Sequence, residues 1–354
     1  MKRESKKVLV APLNWGLGHA TRCVPIINCL VNLELEVILA ASGRSADFLR
    51  ITFPDLELID FPDYGMTHPV KGSFAWHLIK KSGAVFRSIR EENEVLKKMV
   101  KEHQIDAVIS DNRYGLHHPE IPTVLITHQL NIQAPLPLRG WLRKIVRGFV
   151  KNFNECWVPD FEGSPNLSGK LSHGKGIPEN VRFVGPLSRF SDSESEQKEE
   201  EAPIDYLALI SGPEPQRTHF EKEVFKEFLG LEGKRVLICG KPDSEGKSKE
   251  SGIEQINYLG GLELESFLRR SKVITCRPGY STLMDLFALG KGAVLIPTPG
   301  QTEQKYLAKH WSKFCEVQDQ KSMDLKKATE VRPFPKQEIP SLQKQIENWL
   351  ERAF

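Results

Sequence analysis

Residues Cys276–Ala308 read CRPGYSTLMDLFALGKGAVLIPTPGQTEQKYLA. The apolar run ending at Cys276 predicts a strand, and the turn Arg277-Pro278-Gly279-Tyr280-Ser281-Thr282 leads into a predicted helix over Leu283 to Leu289 that stops at Gly290. A further strand is expected over Ala293 to Pro297, and the polar loop after it opens another helical stretch carrying Glu303 and Gln304. Strand, turn, helix and strand in this order make a parallel α/β sheet. The first loop suits an anion, because a helix N-terminus presents N–H groups and Ser281 and Thr282 can cap it or donate to phosphate oxygens. Ser281 as a mere N-cap and Asp285 as a mere complement to the helix dipole are the plainer readings. Ligands bind beyond the carboxyl ends of parallel strands, so both loops are expected to face one crevice.

The same alternation extends in both directions. Strands are predicted at Val8 to Leu13, Val37 to Ala41, Leu56 to Phe61, Ala107 to Ser110, Thr123 to Thr127 and Cys156 to Pro159. A second series starts at Tyr206 to Ile210 and continues with Val236 to Gly240 and Val273 to Cys276. Between the two series, from Val184 to Ala202, VGPLSRF gives way to SDSESEQKEEEA, an acidic stretch with nothing to bury. The expected organisation is an N-terminal Rossmann-like domain over 1–186, an acidic linker over 187–203 and a second Rossmann-like domain over 204–336. A terminal helix over 337–354 completes it, with Ile339, Leu342, Ile346, Leu350 and Phe354 at near-helical spacing, and this helix could cross back to the first domain.

Another phosphate-type loop lies at the start of the chain. The first strand runs into Asn14-Trp15-Gly16-Leu17-Gly18-His19, and a helix is expected from about Ala20. Gly16 and Gly18 permit positive φ and close backbone approach, with the helix N-terminus behind them. Thr21 occupies the third glycine position of a dinucleotide fingerprint and no acidic residue ends the second strand, which disfavours a dinucleotide cofactor.

Composition narrows the function classes. The chain has 354 residues, 40% hydrophobic and 27% charged, enough for two α/β domains. Its 49 basic and 46 acidic side chains nearly cancel, leaving +3 and no chain-wide field for nucleic acid. Six scattered cysteines form no CxxC pair or zinc-spaced cluster, so no metal site is expected and reduced, buried thiols are. MKRESKK runs directly into a short apolar segment, and no stretch reaches the roughly 18 apolar residues of a membrane span. A cytoplasmic protein is expected.

NWGLGHATR, SGPEPQR from Ser211 and the Cys276–Ala308 block together resemble the GT-B glycosyltransferases, in which two Rossmann-like domains face each other across a cleft. The likeness is to family 28, which includes the inverting UDP-GlcNAc transferase of lipid-linked peptidoglycan precursor synthesis. It implies a UDP-sugar or other nucleotide sugar as co-substrate, no further cofactor, and a hydroxyl acceptor that could be lipid-linked. Carried over by motif, Gly16 and Gly18 lie against the diphosphate and His19 is a proposed base. Asp285 stands where the family has a ribose-binding glutamate, and Glu303 and Gln304 match the pair that contacts the donor sugar, where the family more often has Gln-Gln. Gly212 falls in the first loop of the second domain, where Pro213 and Pro215 remove N–H donors, so Ser211, Gln216 and Arg217 are assigned the missing phosphate contacts. Gly260 and Gly261 match the backbone that reads the uracil edge, while Arg277, Gly279, Ser281 and Thr282 complete the donor site.

Transfer requires an acceptor hydroxyl to lose its proton while a nucleoside diphosphate leaves with growing negative charge. Helix N-termini, loop N–H groups and cationic side chains can meet the second demand without a metal. For the first, His19 leads because imidazole titrates near neutrality. Asp111, in Ser110-Asp111-Asn112-Arg113-Tyr114, and His128, in Thr127-His128-Gln129-Leu130-Asn131, are the other candidates, each just after a predicted strand. Gln129 replaces a family glutamate, whose task Asp111 could take over. The plainer reading of His128 and Asn131 is turn chemistry.

Arg139 to Phe153 forms an amphipathic helix with Leu142, Ile145, Val146, Phe149 and Val150 on one face and Arg139, Arg143, Lys144, Arg147 and Lys151 on the other. Core packing is favoured for the apolar stripe, with the basic face able to make peripheral contact with anionic lipid at the inner face of a membrane. A nucleotide-sugar 2-epimerase and a non-catalytic nucleotide-sugar-binding subunit are the competing readings.

Overall fold

The computed structural model describes residues 5–62, 82–134, 138–190, 202–241, 246–328, 332, 334, 335 and 337–354. It divides into two α/β units: the first runs from the N-terminal strand to Leu187 and takes in Glu338–Phe354, and the second is Ser188–Gln337.

The first unit is built from β1 (Lys7–Pro12), α1 (Leu17–Asn32), β2 (Glu36–Ala41), α2 (Gly43–Thr52), β3 (Glu57–Asp60), α3 (Ser82–Glu102), β4 (Ala107–Asp111), β5 (Thr123–Ile126), α4 (Leu138–Val150), β6 (Glu155–Val158) and β7 (Val181–Phe183). Among the described residues its sheet has the order β3-β2-β1-β4-β5-β6-β7, with every pairing parallel. Val8, Leu9, Val10, Val108 and Ile109 are fully buried, as central strands of a sheet covered on both faces must be. Strand order reverses between β1 and β4, where Pro12 lies beside Asp111 in register. A ligand crevice belongs at such a switch point.

The second unit comprises β8 (Ile204–Leu209), α5 (Gln216–Leu229), β9 (Arg235–Ile238), β10 (Lys247–Glu250), β11 (Ile253–Ile256), α6 (Gly261–Arg270), β12 (Ser271–Cys276), α7 (Tyr280–Ala288), β13 (Val294–Leu295), α8 (Thr302–Trp311) and β14 (Glu316–Val317). Its sheet runs β10-β11-β9-β8-β12-β13-β14, parallel except for the β10/β11 hairpin. The switch point falls between β8 and β12. Phe220, Val224 and Phe228, one stripe of α5, pack with Ala208, Leu237 and Leu325 in its core. Burying such a stripe contributes about 1.5–3 kcal/mol per large apolar side chain.

The final helix, α9 (Leu342–Ala353), belongs to the first unit. Ser341 caps it by accepting from the Lys344 N–H, and Ile346 and Trp349 are buried. Trp349 meets Trp157 edge to face at 5.6 Å, Gln345 donates to the Val184 carbonyl at 2.8 Å, and Arg352 pairs with Glu155 at 2.9 Å. These contacts lock the helix against β6 and the segment after β7.

The structure corrects several expectations. β7, β10, β11 and β14 are additional strands: β10 is KSKE, exposed throughout, and carries no apolar signal, only the lysines typical of a protected edge. α1 and α7 begin earlier than expected, at Leu17 and Tyr280. The expected linker is packed at its start, since Val184 and Leu187 are buried in the first unit and Phe190 in the second. The acidic run 191–201 lies outside the described residues. Among the described residues no helix is long and apolar enough to cross a membrane.

Candidate active site

At the switch point of the first unit, the chain leaves β1 and turns into α1 through Gly16, whose φ of 92° and ψ of 162° suit glycine. Gly18 is already helical, so of the two expected glycines only Gly16 uses positive φ. No side chain caps α1, its first turn carries no acidic residue, and a Cβ on Gly16 would meet open space. That end of the helix is suited to an anion.

His19 and Arg22 sit one turn apart on the same face of α1. Asp111 ends β4 and is fully buried. Arg22 grips it with two donors, Nε to Oδ2 and Nη2 to Oδ1, and His19 Nδ1 lies 3.0 Å from Oδ1. The third Arg22 nitrogen, Nη1, reaches His128 Nδ1 at 3.1 Å. The four side chains therefore come from α1, the end of β4 and the loop after β5. Burial alone would push the Asp111 carboxyl up, but Arg22 and then His19 outweigh it and lower it to about 2. An ionised carboxylate this strongly held is a poor proton acceptor at neutral pH, and His19 and Arg22 are the groups that hold it in that state.

Arginine has donors only, so a hydrogen bond from Arg22 Nη1 falls on a lone pair of His128 Nδ1, while His128 Nε2 lies 3.4 Å from the Gln129 side-chain amide. The His128 backbone is fixed as well, with the Ser172 hydroxyl donating to its carbonyl at 2.7 Å. Asn131, read as turn chemistry, donates through Nδ2 to the carbonyls of Lys170 and His173, which pins the same loop. Behind the site, Asn112 adopts φ 58° and its Oδ1 accepts from Thr127 Oγ1 at 3.1 Å. Burial pushes the Tyr114 hydroxyl up to about 12. Arg113 is buried and structural, paired with Glu92 at 2.6 Å and lying over the Phe61 ring.

In the second unit, Gly212 follows β8 with φ 111° beside exposed Ser211, and Gln216 opens α5, which no side chain caps. Arg217 is not offered to a phosphate. Its guanidinium bonds Glu214, Glu221 at 2.8 Å and the Cys239 carbonyl at 3.1 Å, bracing the loop internally. Gly260 caps the start of α6 with Gly261 after it, and a Cβ on either would meet nothing within 4 Å.

The loop after β12 shows a further departure. Arg277, expected at the donor, is 1% exposed; it donates to the Ile296 carbonyl at 2.9 Å and Gln320 Oε1 at 2.6 Å, and stacks on Phe220 at 3.9 Å. Burial lowers its pKa to about 9. It holds β12, β13 and α5 together. Gly279 is the N-cap of α7, with Ser281 and Thr282 in the first turn, so Ser281 is not the cap. Asp285 is buried, its Oδ1 accepting from Ser188 Oγ at 2.8 Å and its Oδ2 3.4 Å from Arg189 Nε. Burial raises its pKa against the opposing pull of Arg189 and Ser188. A ribose hydroxyl on Asp285 would have to take the place of Ser188. Glu303 lies in the first turn of α8, while Gln304 Oε1 accepts from the Thr298 N–H at 2.7 Å and so braces the loop before the helix.

Two parallel-sheet α/β units, each with loops and helix N-termini at its switch point, define the class: a GT-B glycosyltransferase. The solved glycosyltransferase SnogD of Streptomyces nogalater matches with a TM-score of 0.65 and 13% identity, covering 99% of this chain and all of that one. MurG of Acinetobacter baumannii matches with a TM-score of 0.52 and 11% identity over 98% of this chain and 91% of its own. Within that class the chain is family 28-like, since residues 213–332 match the glycosyltransferase family 28 C-terminal domain. An uncharacterized glycosyltransferase of Methanosarcina mazei is 24% identical over 319 residues, 84% of this chain and 81% of the relative. The UDP-N-acetylglucosamine–N-acetylmuramyl-(pentapeptide) pyrophosphoryl-undecaprenol N-acetylglucosamine transferase of Campylobacter fetus is 22% identical, covering 63% of this chain and 62% of its own.

Arg22 was absent from the sequence-derived site, as were Ser188 and Arg189. The signal available for Arg22 was its place in GHATR, one helical turn after His19.

Proposed function

We propose that the enzyme transfers a hexose or N-acetylhexosamine from a nucleoside-diphosphate sugar, UDP-linked in the first instance, to a hydroxyl acceptor, with inversion and without a metal. The observation that carries this reading is His19, held at Nδ1 by an ionised, buried Asp111 at an uncapped helix start. Such a ring can take the acceptor proton through Nε2 as the sugar migrates, while Asp111 stabilises the imidazolium that results. Helix N-termini in both units, at Gly16 and Gly279, suit the developing diphosphate charge. Gly212, Gly260, Ser281, Thr282, Asp285 and Glu303 remain the proposed donor contacts of the second unit.

The relative from Campylobacter fetus acts on a pyrophosphoryl-undecaprenol substrate by name, and a lipid-linked acceptor is the first to try here. The apolar stripe of α4 packs into the first unit through Leu142, Val146 and Val150, leaving Arg143 and Lys144 exposed beside Trp141. We propose this basic face as the peripheral lipid contact. The decisive assay measures nucleoside diphosphate release from a panel of nucleotide sugars in EDTA, with and without lipid-linked and soluble hydroxyl acceptors. Acceptor-dependent release with a glycosylated product supports the reading; a free sugar released without acceptor refutes it.

A further inference from the structure

The Arg22 guanidinium is shared among groups that could each hold a proton. Its Nε and Nη2 bond Asp111, its Nη1 lies 3.1 Å from His128 Nδ1, and Nη2 is also 3.0 Å from His19 Nδ1. Arg22 is 2% exposed, Asp111 0% and His128 6%, so water cannot readily settle which ring nitrogen carries hydrogen. Protein donors and acceptors must do so. At His128 a donor-only guanidinium facing Nδ1 calls for a lone pair there and a proton on Nε2, and the Gln129 side-chain amide, 3.4 Å from Nε2, serves that proton when its oxygen is turned toward the ring. His19 Nδ1 instead faces an acceptor, Asp111 Oδ1, at 3.0 Å. An unprotonated Nδ1 would set a lone pair against a carboxylate oxygen beside a buried group, a costly arrangement; Arg22 Nη2 also lies 3.0 Å from Nδ1, but a guanidinium hydrogen shared with a neutral ring nitrogen gains less than the Nδ1–H bond to a charged carboxylate that it would displace.

We infer that Arg22 is a positioning residue that holds the two histidines in opposite tautomers: His19 protonated on Nδ1 with Nε2 accepting, and His128 protonated on Nε2 as a donor. This rests on the proposed transferase reading only for the role of the His19 base. Without the guanidinium, His128 Nδ1 would lose the donor that fixes its lone pair, and Asp111 would keep the His19 ring but lose its counter-ion. Arg22 prevents that by filling both carboxylate oxygens from one side and claiming the His128 lone pair with its remaining nitrogen. It touches no reacting atom in this account. Lysine cannot replace it, having one nitrogen where the fork supplies three.

The test is a two-bond ¹H–¹⁵N spectrum of protein labelled at histidine, recorded above pH 8 without substrate, with His19→Gln and His128→Gln used for assignment. The parent is expected to show an Nδ1–H ring for His19 and an Nε2–H ring for His128. Arg22→Lys and Arg22→Gln are expected to average the His128 nitrogens between tautomers and to lower kcat about 10²-fold, with donor KM changed less than about twofold. An Nδ1–H tautomer of His128 in the parent overturns the inference. So do unchanged tautomers in a folded Arg22→Lys, and if Arg22→Gln does not fold, the parent and Arg22→Lys spectra decide. Because no substrate is present, the spectra stand or fall independently of the transfer reaction.

Discussion

Replacing Asp111 by Asn should separate what this carboxylate does for stability from what it does for His19. Asn keeps the size and one acceptor oxygen but removes the charge, leaving the Arg22 guanidinium buried at 2% exposure without its counter-ion. Removing one partner of a buried pair costs about 3–5 kcal/mol. The retained oxygen places this variant near the lower end. An independent figure comes from titration: a carboxyl lowered from 3.8 to about 2 favours the folded state by about 2 kcal/mol at neutral pH. Because the folded value is depressed, that contribution is fully present above about pH 4 and is lost as pH falls through about 2. The stability difference between parent and Asp111→Asn, measured by urea unfolding followed through signals of the first unit, should be constant from pH 7 to about 4.5 and shrink below. In turnover, Asn can present an N–H to His19 Nδ1 and favour the wrong tautomer, so kcat should fall by about 10²-fold, as far as loss of His19 itself. A variant as stable as the parent at pH 7, with no change in the difference toward acid, would refute the ion-pair reasoning. Loss of stability with kcat within threefold of the parent would make Asp111 structural only.

His19→Ala and His19→Gln should each lower kcat by about 10²-fold or more with near-parental donor affinity, and restored activity in His19→Gln would remove His19 as the base. Asp285→Ala should weaken nucleotide binding about tenfold in calorimetry, whereas Ser188→Ala, which vacates the carboxylate oxygen now taken at 2.8 Å, should not weaken it; the reverse order would dismiss Asp285 as a ribose ligand. Arg277→Met should destabilise the second unit by about 1–3 kcal/mol in thermal unfolding, the cost of leaving the Ile296 carbonyl and Gln320 Oε1 without their donor, and leave nucleotide affinity of the folded protein unchanged. UDP should raise the melting temperature equally with and without EDTA, and loss of the shift on chelation would reject metal independence.

The legible part of this fold was the part buried on both faces. Strands such as VLVA in β1 and VIT in β12 stand out as apolar runs, and the glycine turns after them mark the switch points. β10 escaped because an exposed edge hairpin of Lys, Ser, Lys and Glu satisfies its partner through the backbone, to which a hydropathy pattern is blind. The site was legible where a motif is local, as in the loop from Asn14 to His19. It was not legible where the decisive contact joins distant segments: Arg22 looks like one polar position of an amphipathic helix until Asp111 and His128 arrive from 89 and 106 residues away. Arg277 shows the opposite error. Beside a Gly-Tyr-Ser-Thr turn an arginine resembles a phosphate ligand, but the strand directs it inward onto Phe220.

The return of α9 to the first unit reverses the usual order of assembly during synthesis. The described residues of the second unit lie in one continuous segment, Ser188–Gln337, with all their strands in hand once that segment is made. The first unit, although begun earlier, waits for Trp349 to cover Trp157 and for Arg352 to reach Glu155. While the ribosome translates the second unit, the β6 and β7 side of the first therefore remains uncovered, an interval in which a chaperone or a stray strand could engage it. Cutting the chain at residue 187 would thus yield a first unit held permanently at that unfinished stage.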